Sequence, residues 1–293
     1  MALRLQSPYS NNHAAWFKGN LHTHTTNSDG NLSPQDTIAT YAGMGYHFLM
    51  LSDHDKFTDP ALLDPCGLTL IPGCEITANG PHMLHVNANG AMEPVENRQN
   101  IIDAVNGIDN GGFCIMNHPN WLENFNHCDH KNLEAWQGYA GIEIYNGVCR
   151  RAEGSPLATD RWDRLLSAGR KVWGYANDDN HRDWDRGVAW NVVQAEDASP
   201  GSIVKSLREG RFYASTGVVI DSIEVEGNTL RVRTQNAQRH YVSSLHGRVP
   251  AIADGRNLVY TLPDEFPFPY IRIECWGPAD AMAWTQPFLI EKD

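Results

Sequence analysis

Two histidines one residue apart, His22 and His24 in Gly19-Asn20-Leu21-His22-Thr23-His24-Thr25, open the set of residues here whose spacing suits chemistry. In a strand, residues i and i+2 share a face, so both imidazoles would enter one space. The pair alone equally suits an ordinary surface or structural site. Farther on, Glu75 offers two oxygens that can bridge two cations, and Asp179 with His181 repeats the i, i+2 spacing. Asp53 reads as a cap for the turn that follows it, and His118 before Pro119 also suits a buried, hydrogen-bonded histidine. Taken jointly, imidazole and carboxylate suit zinc, manganese or iron better than calcium or magnesium. Two such cations about 4 Å apart can share a hydroxide and clamp the oxygens of a displacement.

Positioning these groups requires a repeated scaffold. Strand-length apolar runs alternate with amphipathic helical stretches through about residue 210. Trp16–His24, His47–Leu51, Leu68–Glu75, His82–Asn87, Phe113–Met116, Gly141–Tyr145 and Val172–Ala176 read as strands. Helices are expected after Ser33-Pro34, a cap followed by proline in the first turn, and over Glu96–Asn106, Ala158–Ala168 and Ser199–Glu209. Such alternation predicts a parallel β/α architecture with functional residues at the C-terminal ends of strands. His22 and His24, His54, Glu75, His118, and Asp179 with His181 all fall at such ends. Beyond about residue 214 the pattern changes to alternating runs broken by Gly-Asn, Asp-Gly and prolines, which predicts a small antiparallel unit. The expected division is therefore 1–214 and 215–293.

The net charge of −12 argues against a nucleic-acid partner, because phosphate backbones select basic faces. It suits a collector of cations, as it suits a solvated acidic surface. No run approaches the roughly 20 apolar residues of a membrane span, and Met1–Trp16, with Asn11, Asn12 and His13, lacks a signal-peptide core. The expected location is the cytoplasm. Six cysteines without a Cys-x-x-Cys pair suggest reduced, mostly buried thiols. Eleven of the thirteen histidines lie at or before position 181, so the chemistry is expected to end there.

The motifs Gly-Asn-Leu-His22-Thr-His24-Thr…Ser28-Asp29-Gly30, Leu51-Ser52-Asp53-His54-Asp55, Gly73-Cys74-Glu75-Ile76, Asn117-His118-Pro119 and Asp179-Asn180-His181 occur in this order over about residues 16–215. In this the chain resembles the polymerase and histidinol phosphatase (PHP) family of metallohydrolases. The resemblance implies a distorted (β/α)7 barrel followed by a small C-terminal β-rich domain, with two or three divalent ions (Zn, Mn or Fe) at the strand ends. By motif, His22 and His24 would hold a first metal with Glu75 and Asp179; Glu75 would bridge to a second bound by His118; Asp29, His54 and His181 would hold a third or complete the second. His85 is similar to a family position beside the site. Trinuclear members often carry a histidine where Asp29 stands, and another where this chain has Glu143-Ile144-Tyr145-Asn146, so Glu143 or Asn146 would substitute or two metals would be bound. Ser206–Gly217 resembles a segment of PHP proteins that carry a C-terminal β-domain, some described as phosphoesterases and others similar to carbamate- or ester-cleaving hydrolases.

The leading expectation is a phosphoesterase acting on a small phosphorylated metabolite through hydroxide generated on the metal. His181 or His54 would protonate the leaving oxygen. Arg150 and Arg151, and less directly Lys56, are candidates for gripping the phosphate. Hydrolysis of a carboxylic or carbamate ester at the same metals is the alternative, with Trp121, Phe125, Trp136, Trp184 and Trp190 available to line an organic pocket. A non-catalytic binding module stabilised by metal is the third possibility.

Overall fold

The computed structural model describes residues 3–10 and 15–292, so Asn11, Asn12 and His13 lie outside the described residues. In chain order come β1 (Leu3–Gln6), β2 (Ala15–Asn20), α1 (Pro34–Gly43), β3 (Phe48–Met50), β4 (Thr69–Ile71), β5 (Gly73–Ile76), β6 (Met83–Val86) and α2 (Arg98–Asn106). They are followed by β7 (Phe113–Met116), α3 (His130–Ala135), β8 (Gly141–Asn146), α4 (Thr159–Ser167), β9 (Trp173–Asn177), β10 (Trp190–Ala195), α5 (Pro200–Glu209) and β11 (Phe212–Ser215). Eight further strands complete the chain: β12 (Ile220–Glu226), β13 (Thr229–Thr234), β14 (Arg239–Ser244), β15 (Arg248–Asp254), β16 (Asn257–Thr261), β17 (Tyr270–Trp276), β18 (Met282–Thr285) and β19 (Phe288–Lys292).

Local chemistry explains the helix starts. The Ser33 and Ser199 hydroxyls accept from the amides of Asp36 and Ser202, and Pro34 and Pro200 occupy the first turns, where no amide donor is needed. Gly210, at φ 79°, ends α5 in the left-handed conformation that glycine tolerates.

Strands β5 to β9 form one five-stranded sheet in chain order, while β4-β3-β2-β10-β11 begin an eleven-stranded sheet. The two contribute to one core: Leu21, Phe48, Met50, Leu84, Val86, Phe113, Ile115, Tyr175 and Val193 form a single buried cluster. Each such side chain gains roughly 1.5–3 kcal/mol from burial. Backbone pairing does not close a barrel among the described residues, because the ladder is interrupted between β4 and β5 and between β9 and β10. Side chains and single bridges span these gaps. Asn191 of β10 bonds the backbone of Ala176 on β9 in both directions, and isolated parallel bridges join His54 to Glu75 and Thr23 to Asn180.

The expected all-parallel arrangement needs correction. β6 runs antiparallel to β5 and β7, and β10 antiparallel to β2. The link from Ile76 to Met83 is too short for a crossover helix, so β6 must turn back.

The C-terminal strands extend the large sheet: β11 pairs with β18, β18 with β17, and β17 with β14 and β19. Position 214 falls inside β11. β12, β13 and β16 form a separate antiparallel sheet, and β1 pairs with β19, bringing the two ends of the described chain together. Cys66 is exposed; the other five cysteines are buried, and none is paired. No described helix is long and apolar enough to cross a membrane.

Candidate metal centre

Glu75, at the end of β5, is fully buried and lies at the middle of the site. Its Oε1 is 3.2 Å from His22 Nε2, 3.3 Å from His82 Nδ1 and 3.5 Å from His118 Nε2; its Oε2 is 3.5 Å from His24 Nε2 and 2.7 Å from His54 Nδ1. Asp179 Oδ1 lies 3.1 Å from the Nε2 atoms of both His22 and His24. Ligands held about 2.0–2.2 Å from a tetrahedral cation stand roughly 3.3–3.6 Å apart. The His22–His24–Glu75–Asp179 spacings therefore fit a cage for one divalent ion. Among the described residues the two Nε2 atoms have no hydrogen-bond partner, which is costly for buried polar atoms unless a cation takes them.

Two further groups adjoin this cage. Glu75, His82 and His54 present ligand atoms within bonding reach of a common point, and so do His24, Asp29, His54 and His181. Asp29 is the exposed member, its side chain 55% accessible, with His181 Nε2 at 3.3 Å and His54 Nε2 at 3.6 Å. The expected residues His22, His24, Asp29, His54, Glu75, His118, Asp179 and His181 are thus brought together in space.

The carboxylates and imidazoles of the cluster shift one another's titration. Burial opposes a charge on His22, but Asp179, Glu143 and Glu75 outweigh it and hold its pKa well above the histidine range. For His54, burial is likewise outweighed by Asp29 and Glu75, and the ring is pushed up to about 10. Burial would raise Glu75 and Asp179, yet the surrounding histidines hold both well below the carboxylate range. A bound cation would displace the protons of these histidines.

A second layer fixes the ligands. Glu143 accepts from His22 Nδ1 at 2.8 Å, Asn177 Nδ2 at 2.9 Å, the His118 amide at 2.9 Å and Asn146 Nδ2 at 2.9 Å. Asn146 also bonds Asp179 Oδ2 at 3.1 Å. Glu143 and Asn146 thus orient the ligands through these hydrogen bonds. Asp53 accepts from the Thr25 amide and hydroxyl and from Ser28, so it holds the turn after His24 rather than capping the one after itself. Gly30 lets that turn close, since a Cβ there would come within 2.4 Å of the His24 carbonyl oxygen. His118 (φ 25°) and Asp179 (φ 53°) adopt left-handed backbone conformations that cost a non-glycine residue energy.

The strand reversal at β6 redistributes the histidines. His82, just before β6, reaches Glu75, whereas His85 points to the opposite face between Cys74 and Cys114 in the register. Burial pushes His85 down to about 4, and among the described residues neither ring nitrogen has a partner. Among the described residues it belongs neither to the cavity lining nor to a group that could hold an ion. His127 Nε2 accepts the His82 amide at 3.0 Å and so supports that ligand. His82 is not legible as a ligand from its place at the start of a strand; the signal in the sequence is the Gly80-Pro81 turn, which marks a reversal.

A cavity of about 340 Å³ opens over the cluster, lined by Asp29, His54, His118 and His181 together with Trp121, Val148, Arg151, Ala152 and Arg182. A larger cleft of about 550 Å³ beside Lys171 and Trp173 contains no histidine or cysteine. Of the expected anion-binding residues, Arg151 lines the site cavity; Arg150 is exposed outside it, and Lys56 is tied to the Asn27 carbonyl. Arg182, next to His181, was missed. Of the aromatic residues only Trp121 reaches the cavity: Phe125 and Trp184 are exposed, and Trp136 and Trp190 pack on core clusters.

No protein-family model and no curated protein sequence matches the chain. Among solved structures, it is similar to a two-domain protein from Bacteroides vulgatus containing a predicted PHP-like metal-dependent phosphoesterase. That match has a TM-score of 0.55 and 16% identity, over 99% of this chain and 90% of the other. A proposed metal-dependent phosphoesterase from Bifidobacterium adolescentis matches at 17% identity over 57% of this chain and 88% of its own, with a TM-score of 0.43. The fold is therefore PHP-like and carries an additional domain.

Proposed function

We propose that this protein is a metal-dependent hydrolase of small phosphate esters. The observation that carries the reading is one cavity with a histidine–carboxylate cage at its floor and two arginines, Arg151 and Arg182, on its wall. His22, His24, Glu75 and Asp179 would hold one divalent ion, Glu75 with His82 and His118 a second, and Asp29, His54 and His181 a third. Zinc, manganese or iron fits this donor chemistry. Such ions, when bound, lower the pKa of water and polarise phosphoryl oxygens.

The protein's own groups do the rest. Arg151 and Arg182 orient the phosphate, and Trp121 with Val148 and Ala152 receives the organic part. His181 or His54, whichever is not fully ligated, holds a proton within reach of the leaving oxygen. The small apolar wall around Trp121 supports a second reading, cleavage of a carboxylic or carbamate ester at the same ions. Protein loaded with manganese or zinc should hydrolyse a phosphoester from a panel of phosphomonoesters, phosphodiesters and aryl carboxylates, and lose that turnover in His24→Ala and Glu75→Ala. Turnover of carboxylates alone would replace the first reading by the second. Bound metal without any turnover would leave a metal-stabilised binding module.

A further inference from the structure

The cleft of about 550 Å³ beside Trp173 lies at the opposite end of the strands from the metal centre. Phe113 and Trp173 are the first residues of β7 and β9, whereas His118 and Asp179 follow the ends of those strands. The rise of a strand puts Phe113 roughly 15 Å from His118. Phe113, Trp173 and Val204 form an apolar floor, and Lys171, Lys205 and Arg208, all exposed, stand at its rim. Val204, Lys205 and Arg208 share one face of α5, being three or four residues apart. Among the described residues, Glu209 is the one carboxylate of the lining and is paired with Arg211, and no carboxylate pairs with Lys171, Lys205 or Arg208. In a chain of net charge −12, three such cations at one cleft run against the overall balance. The walls are pre-formed. Asn87 and Asn110 each donate Nδ2 to the other's carbonyl at 2.7 Å, and Asn106 Nδ2 donates to the Gly138 carbonyl at 3.1 Å. Trp173 Nε1 donates to the Arg208 carbonyl at 2.9 Å, which fixes the end of α5 against the floor.

We propose that this cleft is a second binding site, separate from the metal centre, for a small organic anion with a flat apolar body, the chemistry of an aromatic acid. Its size is that of a small-molecule pocket, and its lining joins an apolar floor to a few convergent polar groups. Three cations against one paired carboxylate set the sign of the ligand, because their field attracts an anion and repels a cation. The floor sets the rest. Phe113, Trp173 and Val204 offer nothing to a hydrated inorganic ion, whereas an aromatic ring packs on the two aromatic residues and leaves its charge at the rim. Lys171 already shows this mode in part, with Nζ 5.4 Å from the centroid of the Trp173 ring. Arg208, in the last turn of α5, also complements the carbonyl end of that helix. Lys171 and Lys205 have no such role, being outside the last turn.

The test is calorimetric titration of the metal-loaded protein with 2-naphthalenesulfonate, a flat aromatic anion that binds metal ions poorly. One equivalent should bind, and the affinity should fall about tenfold or more when Lys205→Gln is combined with Arg208→Gln. Gly201→Glu should weaken it as well. Gly201 lines the cleft in the first turn of α5, and a Cβ there would meet no atom within 4 Å. The new side chain therefore brings a carboxylate to the mouth, at a helix position where an acidic group is favourable. Glu75→Ala, which damages the metal cage, should bind the sulfonate as wild type does. Neutral 2-naphthol and inorganic sulfate should each bind about tenfold or more weakly than the sulfonate, since each lacks one half of the recognition. Wild-type affinity in the double variant and in Gly201→Glu overturns the proposal. So does lost binding in Glu75→Ala, which would place the probe over the ions, or an equal affinity for naphthol or sulfate. Lys171→Gln, on a different element, carries the same comparison should the α5 variants fail to fold.

Discussion

Glu143 Oε1 lies 2.8 Å from His22 Nδ1, with both side chains fully buried. This contact fixes the tautomer that presents Nε2 to the cage and raises the basicity of the ring. The other oxygen of Glu143 holds the His118 amide, so one carboxylate steadies ligands from two strands. Glu143→Gln should therefore weaken divalent-ion binding about 10–100-fold, with secondary structure retained. Competition against a chromophoric chelator measures this, and unchanged affinity would remove Glu143 from the assembly of the site.

The cation positions differ in enclosure, and their affinities should follow. His22, His24 and Glu75 have no accessible side-chain surface, whereas Asp29 is half exposed and is one of the few acceptors in its group. Zinc titration should give tight equivalents first and a weaker one last, and Asp29→Ala should abolish only the last. A variant that loses the tight equivalents would show that Asp29 supports the cage itself. Stripping all ions with a chelator should lower the melting temperature; an ion present at 100 times its dissociation constant contributes about 2.7 kcal/mol.

Much of this arrangement is legible from residue order alone, since His22, His24, Glu75, His118 and Asp179 fall at strand ends and strand ends converge. Strand direction is what the one-dimensional pattern hides. An alternating four-residue run reads the same in either sense, so which of His82 and His85 faces the cluster is not legible until the reversal of β6 is known. The same limit conceals Glu143: a carboxylate in the middle of a buried strand looks like a ligand, and only the four donors around it show that its oxygens are already committed. The ion pair of Arg151 with Asp185 is legible only in space, because the partners lie 34 residues apart along the chain.

The two parts of the molecule are joined by a buried charge pair. Arg272 of β17, 1% exposed, donates Nε and Nη2 to Asp163 of α4 at 2.8 and 2.6 Å, and Nη1 to Glu274 at 2.6 Å. Burial opposes the charge, but Asp163 and Glu274 outweigh it and hold the guanidinium protonated. Asp163→Ala strands that charge and should cost about 3–5 kcal/mol in urea unfolding. Replacing the pair together, Asp163→Leu with Arg272→Met, should recover a large part. If the single and double variants unfold alike, the pair is not what couples α4 to β17.

Arg98 offers a different use of a buried cation. It is fully buried and makes no ion pair among the described residues; burial pulls its pKa down. Its guanidinium instead donates to the carbonyls of Pro81 at 2.7 Å, Val95 at 2.6 Å, Thr77 at 3.0 Å and Ala78 at 2.9 Å. Three of those carbonyls belong to the turn between Glu75 and His82, which Asp55 grips from the other side through the Thr77 and Ala78 amides. The turn sets how far His82 stands from Glu75, so Arg98 governs that spacing without approaching a cation. Arg98→Met fills similar volume but leaves buried carbonyls unpaired, at about 1–3 kcal/mol for each that finds no water. The variant should unfold at clearly lower urea and lose the equivalent that depends on His82, while the ion held by His22, His24 and Asp179 remains. Arg98→Lys, with three donors, should fall between the two. Wild-type stability in Arg98→Met would mean that water can satisfy the turn and that Asp55 alone holds it.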